Sequence, residues 1–188
     1  MSVLVPATGT ALSAFAGELL RRVQGRCVET MGTPGRGAFG RIAQEIVETA
    51  LAVLDPQLER NPGAGIPDCW YRLGASRCAC EIKYTDNGEV ELKPRDVAGM
   101  KLGGEHKTEA ARLAVLDIAF PASFWLLDAA AITPGTFSAA AHAHLQQADE
   151  AARVAAVVER LLRGADVDLI ADELPAKELI ARAAAALV

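Results

Sequence analysis

Asp68, Glu81 and Lys83 are the residues of this 188-residue chain whose types and spacing fit a chemical task. Pro67-Asp68 is followed, after twelve intervening residues, by Glu81-Ile82-Lys83. Two converging carboxylates hold a hard divalent cation through oxygen. Such an ion neutralises a phosphate and makes a bound water nucleophilic, which is what phosphodiester hydrolysis requires. Lys83 is two residues past Glu81, so on an extended strand it shares that face and lies roughly 6–7 Å further along. An ammonium there orients the attacking water, deprotonates it, or stabilises the developing charge. Ile82 lies between them. Its backbone carbonyl is a third ligand if the strand edge is open there.

The stretch 66–94 must position these groups, and it reads as strands joined by tight turns. Strands are expected over about 67–73 and 78–85, joined through Gly74-Ala75-Ser76. Side chains alternate across a strand. Asp68, Trp70 and Arg72 therefore share one face, and Cys69, Tyr71 and Leu73 the other. In the second strand Ala79, Glu81 and Lys83 oppose Cys78, Cys80 and Ile82. With the apolar sets laid together against a helix, the opposite face gathers the two acids and the lysine. Asp86-Asn87-Gly88 is a turn signal, and a third strand over 89–93 follows. Two near-continuous apolar runs, 113–120 and 123–127, read as interior strands hinged at Pro121.

Helical spacing of apolar residues predicts helices over 7–24 and 38–54, the second ending before Asp55-Pro56. Between them, a glycine-rich connection is expected. The window 21–41 holds five arginines against one acid, Glu29, and Arg36 and Arg41 are candidates for phosphate contact. Lys93, at the end of the third strand, and Arg95 just past it are further candidates for DNA contact. Gly103-Gly104 suggests a loop that presents Lys101, His106 and Lys107 to a phosphate backbone. After Thr133-Pro134-Gly135 the pattern is helical to the end, with helices over 148–163 and from Pro175.

Pro67-Asp68 and Glu81-x-Lys83 resemble the signature of the PD-(D/E)xK nuclease superfamily, the fold of many restriction endonucleases and several resolvases. The resemblance implies Mg²⁺, with Mn²⁺ as a substitute, held by Asp68 and Glu81, and Lys83 in the catalytic lysine position. It also implies a glutamate on the preceding helix. Glu45 looks like the equivalent, with Glu48 as its rival. The fold implied is α/β (α+β): a restriction-endonuclease-like core over 38–128, with a mixed sheet of about 4–5 strands flanked by helices. The chain reads as a single domain, 1–188, whose C-terminal helical extension, 136–188, offers a dimerisation element.

Bulk composition narrows the classes. The chain is 51% hydrophobic and 23% charged, as a globular protein is, and its net charge of −5 argues against a simple basic DNA-coating protein. No apolar run approaches the roughly 18 residues a membrane span needs. The four cysteines lack CxxC spacing and read as free thiols of a reducing cytosol, and heavy alanine and arginine usage suggests a bacterial one. The expected activity is a type II restriction-type endonuclease, cutting double-stranded DNA as a homodimer. A Holliday-junction resolvase or phage-defence nuclease shares the chemistry. A non-catalytic DNA-binding or assembly protein is the alternative of another class.

Overall fold

A computed structural model describes residues 9–61, 67–101 and 107–164. In chain order the elements are β1 (Thr10–Ala11), α1 (Ala14–Met31), α2 (Pro34–Leu54), β2 (Glu59–Arg60), β3 (Cys69–Leu73), β4 (Ser76–Thr85) and β5 (Glu89–Leu92). There follow α3 (Pro94–Gly99), β6 (Ala110–Asp117), β7 (Ser123–Asp128), β8 (Gly135–Ser138), a 3-10 segment (Ala140–Leu145) and α4 (Ala148–Gly164). The expected last helix from Pro175 lies outside the described residues, as does His106.

Six strands form one mixed sheet in the order β1-β7-β6-β4-β3-β2. β4 and β6 are parallel, and the other neighbours are antiparallel. A parallel pair needs a crossover. Here β5 and α3 lie in that connection, which brings them over the face that carries Glu81 and Lys83.

Alternation builds a core on each face of the sheet. Ala114 and Leu116 of β6 join Cys69, Tyr71, Cys78, Cys80 and Ile82 beneath α1, α2 and α4. Phe39, Val47 and Leu51 fill that layer from α2. Leu113 and Val115 point the other way, into a second cluster with Val90, Leu92, Trp125 and Phe137. The apolar runs are thus interior strands covered on both sides. All four cysteines are free thiols, three of them fully buried on the helix side. Among the described residues no helix is long and apolar enough to cross a membrane.

Two expectations fail locally. The glycine-rich connection is mostly helix: α1 runs to Met31, and Pro34 opens α2 at its first turn. A glycine inside a helix costs only about 1 kcal/mol, and here packing outweighs it. Gly35 sits where a Cβ would lie 2.1 Å from the Cys27 carbonyl, so its bareness permits the close crossing of the two helices. Consequently Arg21, Arg22 and Arg26 lie on α1 and pair with Glu18 and Glu29. The second failure is β8, in a region expected to be wholly helical. Gly135–Ser138 pairs antiparallel with β5, setting Phe137 opposite Val90. A four-residue strand carries too few alternations to announce itself in sequence.

One buried ionic knot ties the helical layer to the sheet. Glu150 of α4 accepts from the Tyr71 hydroxyl of β3 and pairs with Arg112 of β6 at 3.3 Å. Glu150 and Arg112 are both 7% exposed. Removing one partner leaves the other charge buried and uncompensated. We predict that Glu150→Ala destabilises the fold by about 3–5 kcal/mol, read as a fall in the urea midpoint. A loss under ~1 kcal/mol, the range of exposed pairs, would show that the knot contributes little.

Candidate active site

The site arises where β3 stops and β4 continues. Cys69, the first residue of β3, is opposite Cys80. Past that point β4 is still paired with β6 through Thr85, but β3 no longer covers its other edge. Asp68 fills the next place. Its Oδ2 accepts from the Ile82 backbone N–H at 2.7 Å, substituting a side-chain oxygen for the missing strand partner. The N–H and C=O of one strand residue point to the same edge, so strand geometry directs the Ile82 carbonyl there too. Asp68 is held in turn by its own carbonyl, which accepts from Asn61 N–H at 2.9 Å.

Glu81 and Lys83 stand on the face away from the three helices. Lys83 Nζ lies 2.5 Å from Glu81 Oε1 and 3.1 Å from Asp96 Oδ2. Asp96 is the third residue of α3, where its carboxylate also accepts from the Lys93 N–H at 3.1 Å. The lysine is thus clamped between two acids, one from its own strand and one from the crossover helix.

Burial is the main cause of the site's electrostatics. It pushes the Glu81 carboxyl up to about 7, and the nearby Asp68 charge adds to the rise while Lys83 opposes it. Burial likewise raises Asp68, against the stabilising Ile82 hydrogen bond and Lys83. For Lys83, burial acts downward, but Glu81 and Asp96 outweigh it and the net shift is upward. Lys83 is therefore a firm ammonium, and Glu81 is an acid reluctant to ionise beside a second acid. A cation placed between Asp68 and Glu81 relieves that strain.

On α2, the side chain that reaches Asp68 is neither expected glutamate. It is Gln44, whose Nε2 lies 3.1 Å from Asp68 Oδ1 and 2.7 Å from Glu48 Oε1. Glu48 is buried and paired with Arg60 at 3.2 Å, and burial raises its pKa. Glu45 is half-buried, and its Oε2 has no hydrogen-bond partner. Two residues of the site thus escaped the sequence reading, Gln44 and Asp96. Gln44 is one helical turn from Glu48 (i, i+4), which is the signal that puts it on the same face. Asp96 follows a proline at a helix start, the position where an acid reads as a cap and nothing more.

A cleft of about 680 Å³ opens beside Gln44, Ile82 and Lys83. Arg36, Arg41 and Arg95 line it. Lys93, Lys101 and Lys107 are exposed but are not part of its lining. Among the described residues no group of three or more His, Cys, Asp or Glu side chains is placed to hold a metal. Mg²⁺ needs only one or two protein carboxylates and takes water for the rest. Asp68, Glu81 and the Ile82 carbonyl fit that demand.

No family model matches this chain, and no curated protein matches it. Among solved structures, it is similar to Hjc of Archaeoglobus fulgidus, a Holliday junction resolvase. That match has 18% identity and a TM-score of 0.43, covering 57% of this chain and 94% of the other. The fold itself is mixed α/β, a six-strand mixed sheet flanked by helices, consistent with a restriction-endonuclease-like fold.

The raised Glu81 pKa sets a pH dependence. A carboxyl that titrates at about 7 when folded, against an ordinary 4.5, favours the fold at low pH. That contribution is fully present below about 4.5 and is lost as pH rises through about 7. We predict that in EDTA at pH 8 Glu81→Gln melts higher than the native chain. Each kcal/mol recovered raises the melting temperature by about 2–4 °C. The gap should narrow toward pH 5. Equal melting curves at pH 8 would mean that Glu81 is not strained.

Proposed function

We propose that this chain is a divalent-metal-dependent nuclease of the PD-(D/E)xK superfamily, hydrolysing DNA phosphodiester bonds. One observation carries the reading. Asp68 is bound to the Ile82 N–H at the open edge of β4, its charge acts on the neighbouring Glu81, and Glu81 is paired with Lys83 on the same strand. Mg²⁺ or Mn²⁺ held by Asp68, Glu81 and the Ile82 carbonyl would supply charge neutralisation on the phosphate and acidify a bound water.

The chain's own groups do the rest. Asp68 is oriented through both oxygens, by Ile82 and by Gln44. Lys83 is an ammonium, so charge stabilisation and orientation of the attacking water fit it without a prior deprotonation. Asp96 is a positioning residue that fixes the Lys83 headgroup. Arg36, Arg41 and Arg95 line the adjoining cleft and would neutralise flanking phosphates. Glu48 is linked to Asp68 through Gln44, and we assign Gln44 the direct role toward Asp68.

Within that chemistry the finer reading is a type II restriction-type endonuclease acting as a homodimer. Its support is size: one small domain with one such site needs a second copy to cut both strands symmetrically. A junction resolvase or defence nuclease uses the same site, and the ends of the DNA fragments separate them.

Incubation of plasmid and of branched DNA with Mg²⁺, and with EDTA as control, tests the class. Cleavage should require the metal, and Lys83→Ala or Asp68→Asn should each slow it by about 10²-fold or more. DNA left intact under Mg²⁺ and Mn²⁺ would leave a non-catalytic binding protein. A second outcome concerns Asp96→Asn, which retains an acceptor for the Lys93 N–H but lacks the charge. We predict a kcat lowered by about ten-fold, roughly 1.4 kcal/mol of barrier, with KM and melting temperature little changed. An Asp96→Asn chain that cuts at the native rate would remove Asp96 from the site.

A further inference from the structure

The cleft beside the site is split by charge, and the split concerns which form of nucleic acid it takes. One wall is the first half of α2. It carries Arg36 and Arg41 around Gly37 and Gly40. The other wall is the end of β4, its turn and β5, and it carries Asp86, Asn87, Glu89 and Glu91. Lys83 lies at the inner end.

The α2 wall suits a phosphate chain. A Cβ at Gly37 would meet nothing within 4 Å, so backbone is open to a ligand there. Arg36 is partly committed, 3.7 Å from Asp86. Arg41 is exposed and makes no ion pair or hydrogen bond among the described residues. It is one turn before Gln44, and so leads from the cleft toward Asp68. The opposite wall is less suited to phosphate: Asp86 is offset by Arg36, but Glu89 and Glu91 stand there, and Arg95 is the one further arginine of the lining. Its acids repel phosphate, whereas the Glu89 carboxylate accepts from the amino groups of adenine, cytosine and guanine. The Asn87 amide nitrogen donates to base acceptors, while its Oδ1 accepts from the Thr85 hydroxyl and the Glu89 N–H. Tyr84 stands in the lining with its ring fixed edge-on against Phe39 and its hydroxyl donating to the Arg36 carbonyl, available as a face for a base.

We propose that the cleft takes one unpaired DNA strand, backbone along Arg41 and bases toward Asn87 and Glu89. An intact duplex brings a second phosphate chain, and here that chain faces the acidic wall. The volume of about 680 Å³ is on the scale of a small-ligand site and accommodates a short run of one strand. The choice of DNA rests on the nuclease reading above, and within that reading this inference favours a nuclease of branched or single-stranded DNA over the duplex-cutting restriction-type endonuclease. The substrate implied is DNA with a single-stranded part, such as a flap, a gap or a displaced strand.

Fluorescence anisotropy in EDTA tests the inference without cleavage. Labelled single-stranded oligonucleotide and a hairpin duplex of the same length are titrated with the full chain. The single strand should bind about ten-fold tighter. Arg41→Ala should weaken single-strand binding and lower its salt slope by about 0.7, the loss of one phosphate contact. Glu89→Lys with Glu91→Lys should raise duplex affinity and narrow the preference. Duplex binding equal to or tighter than single-strand binding overturns the proposal, as does an Arg41→Ala chain that binds the single strand unchanged. Cleavage with Mg²⁺ is read separately. A chain that prefers single strands yet never cuts retains this inference and loses the nuclease reading. One that cuts plain duplex fastest does the reverse.

Discussion

The structure depends on a strand that outlasts its neighbour. β4 has ten residues and β3 five, and β6 supports β4 from the far side through Thr85. An uncovered strand edge inside a fold leaves backbone donors and acceptors without partners. Here a carboxylate takes the Ile82 donor. That one bond fixes Asp68, opens the edge for a ligand, and puts an acid beside Glu81. A β3 two residues longer, with Pro67 opposite Ile82 in the same register, would have offered Ile82 a backbone carbonyl and closed the site.

That arrangement is costly, and the fold concentrates its cost in one place. Buried Glu81 and half-buried Asp68 disfavour each other's charge, and the lysine between Glu81 and Asp96 offsets only part of it. Two other buried acids have cationic partners: Glu150 meets Arg112 and Tyr71, and Glu48 meets Arg60 and Gln44. Sites of function are where such imbalance is tolerated. The contrast within a single chain makes the Asp68–Glu81 pair the natural place for a cation.

Much of this was legible in sequence because alternation is a strong constraint. It separated Cys69, Tyr71, Cys78, Cys80 and Ile82 from Glu81 and Lys83, and the register Tyr71 opposite Cys78 is what the apolar match demands. Alternation alone puts Asp68 inside the strand, whereas it lies just before it and acts as the strand's substitute. What stayed hidden depends on tertiary contact. Asp96 meets Lys83 only because the crossover returns α3 over the sheet. Gln44 meets Asp68 only because α2 packs beside the point where β3 ends. The arginines of α1 looked like a basic loop because glycine was weighed as a breaker, while the helix crossing at Gly35 needed the missing side chain.

Lys83 has two partners where one would satisfy its charge, and the second explains how the site can change state. With Glu81 as its sole acid, the ammonium would keep the very oxygen that a cation requires. Asp96 is a second berth, anchored through the Lys93 N–H at the start of α3 and held in its charged form despite partial burial by Lys83 and that same bond. Glu81 can therefore give up Lys83 without leaving a buried ammonium unpaired, which is the expensive alternative. The lysine stays on the face of β4 toward the cleft, near the point where phosphate charge would develop. Clamping the lysine on both sides is thus not redundant packing. It lets one carboxylate change partners while the charge count of the buried site stays close to balance.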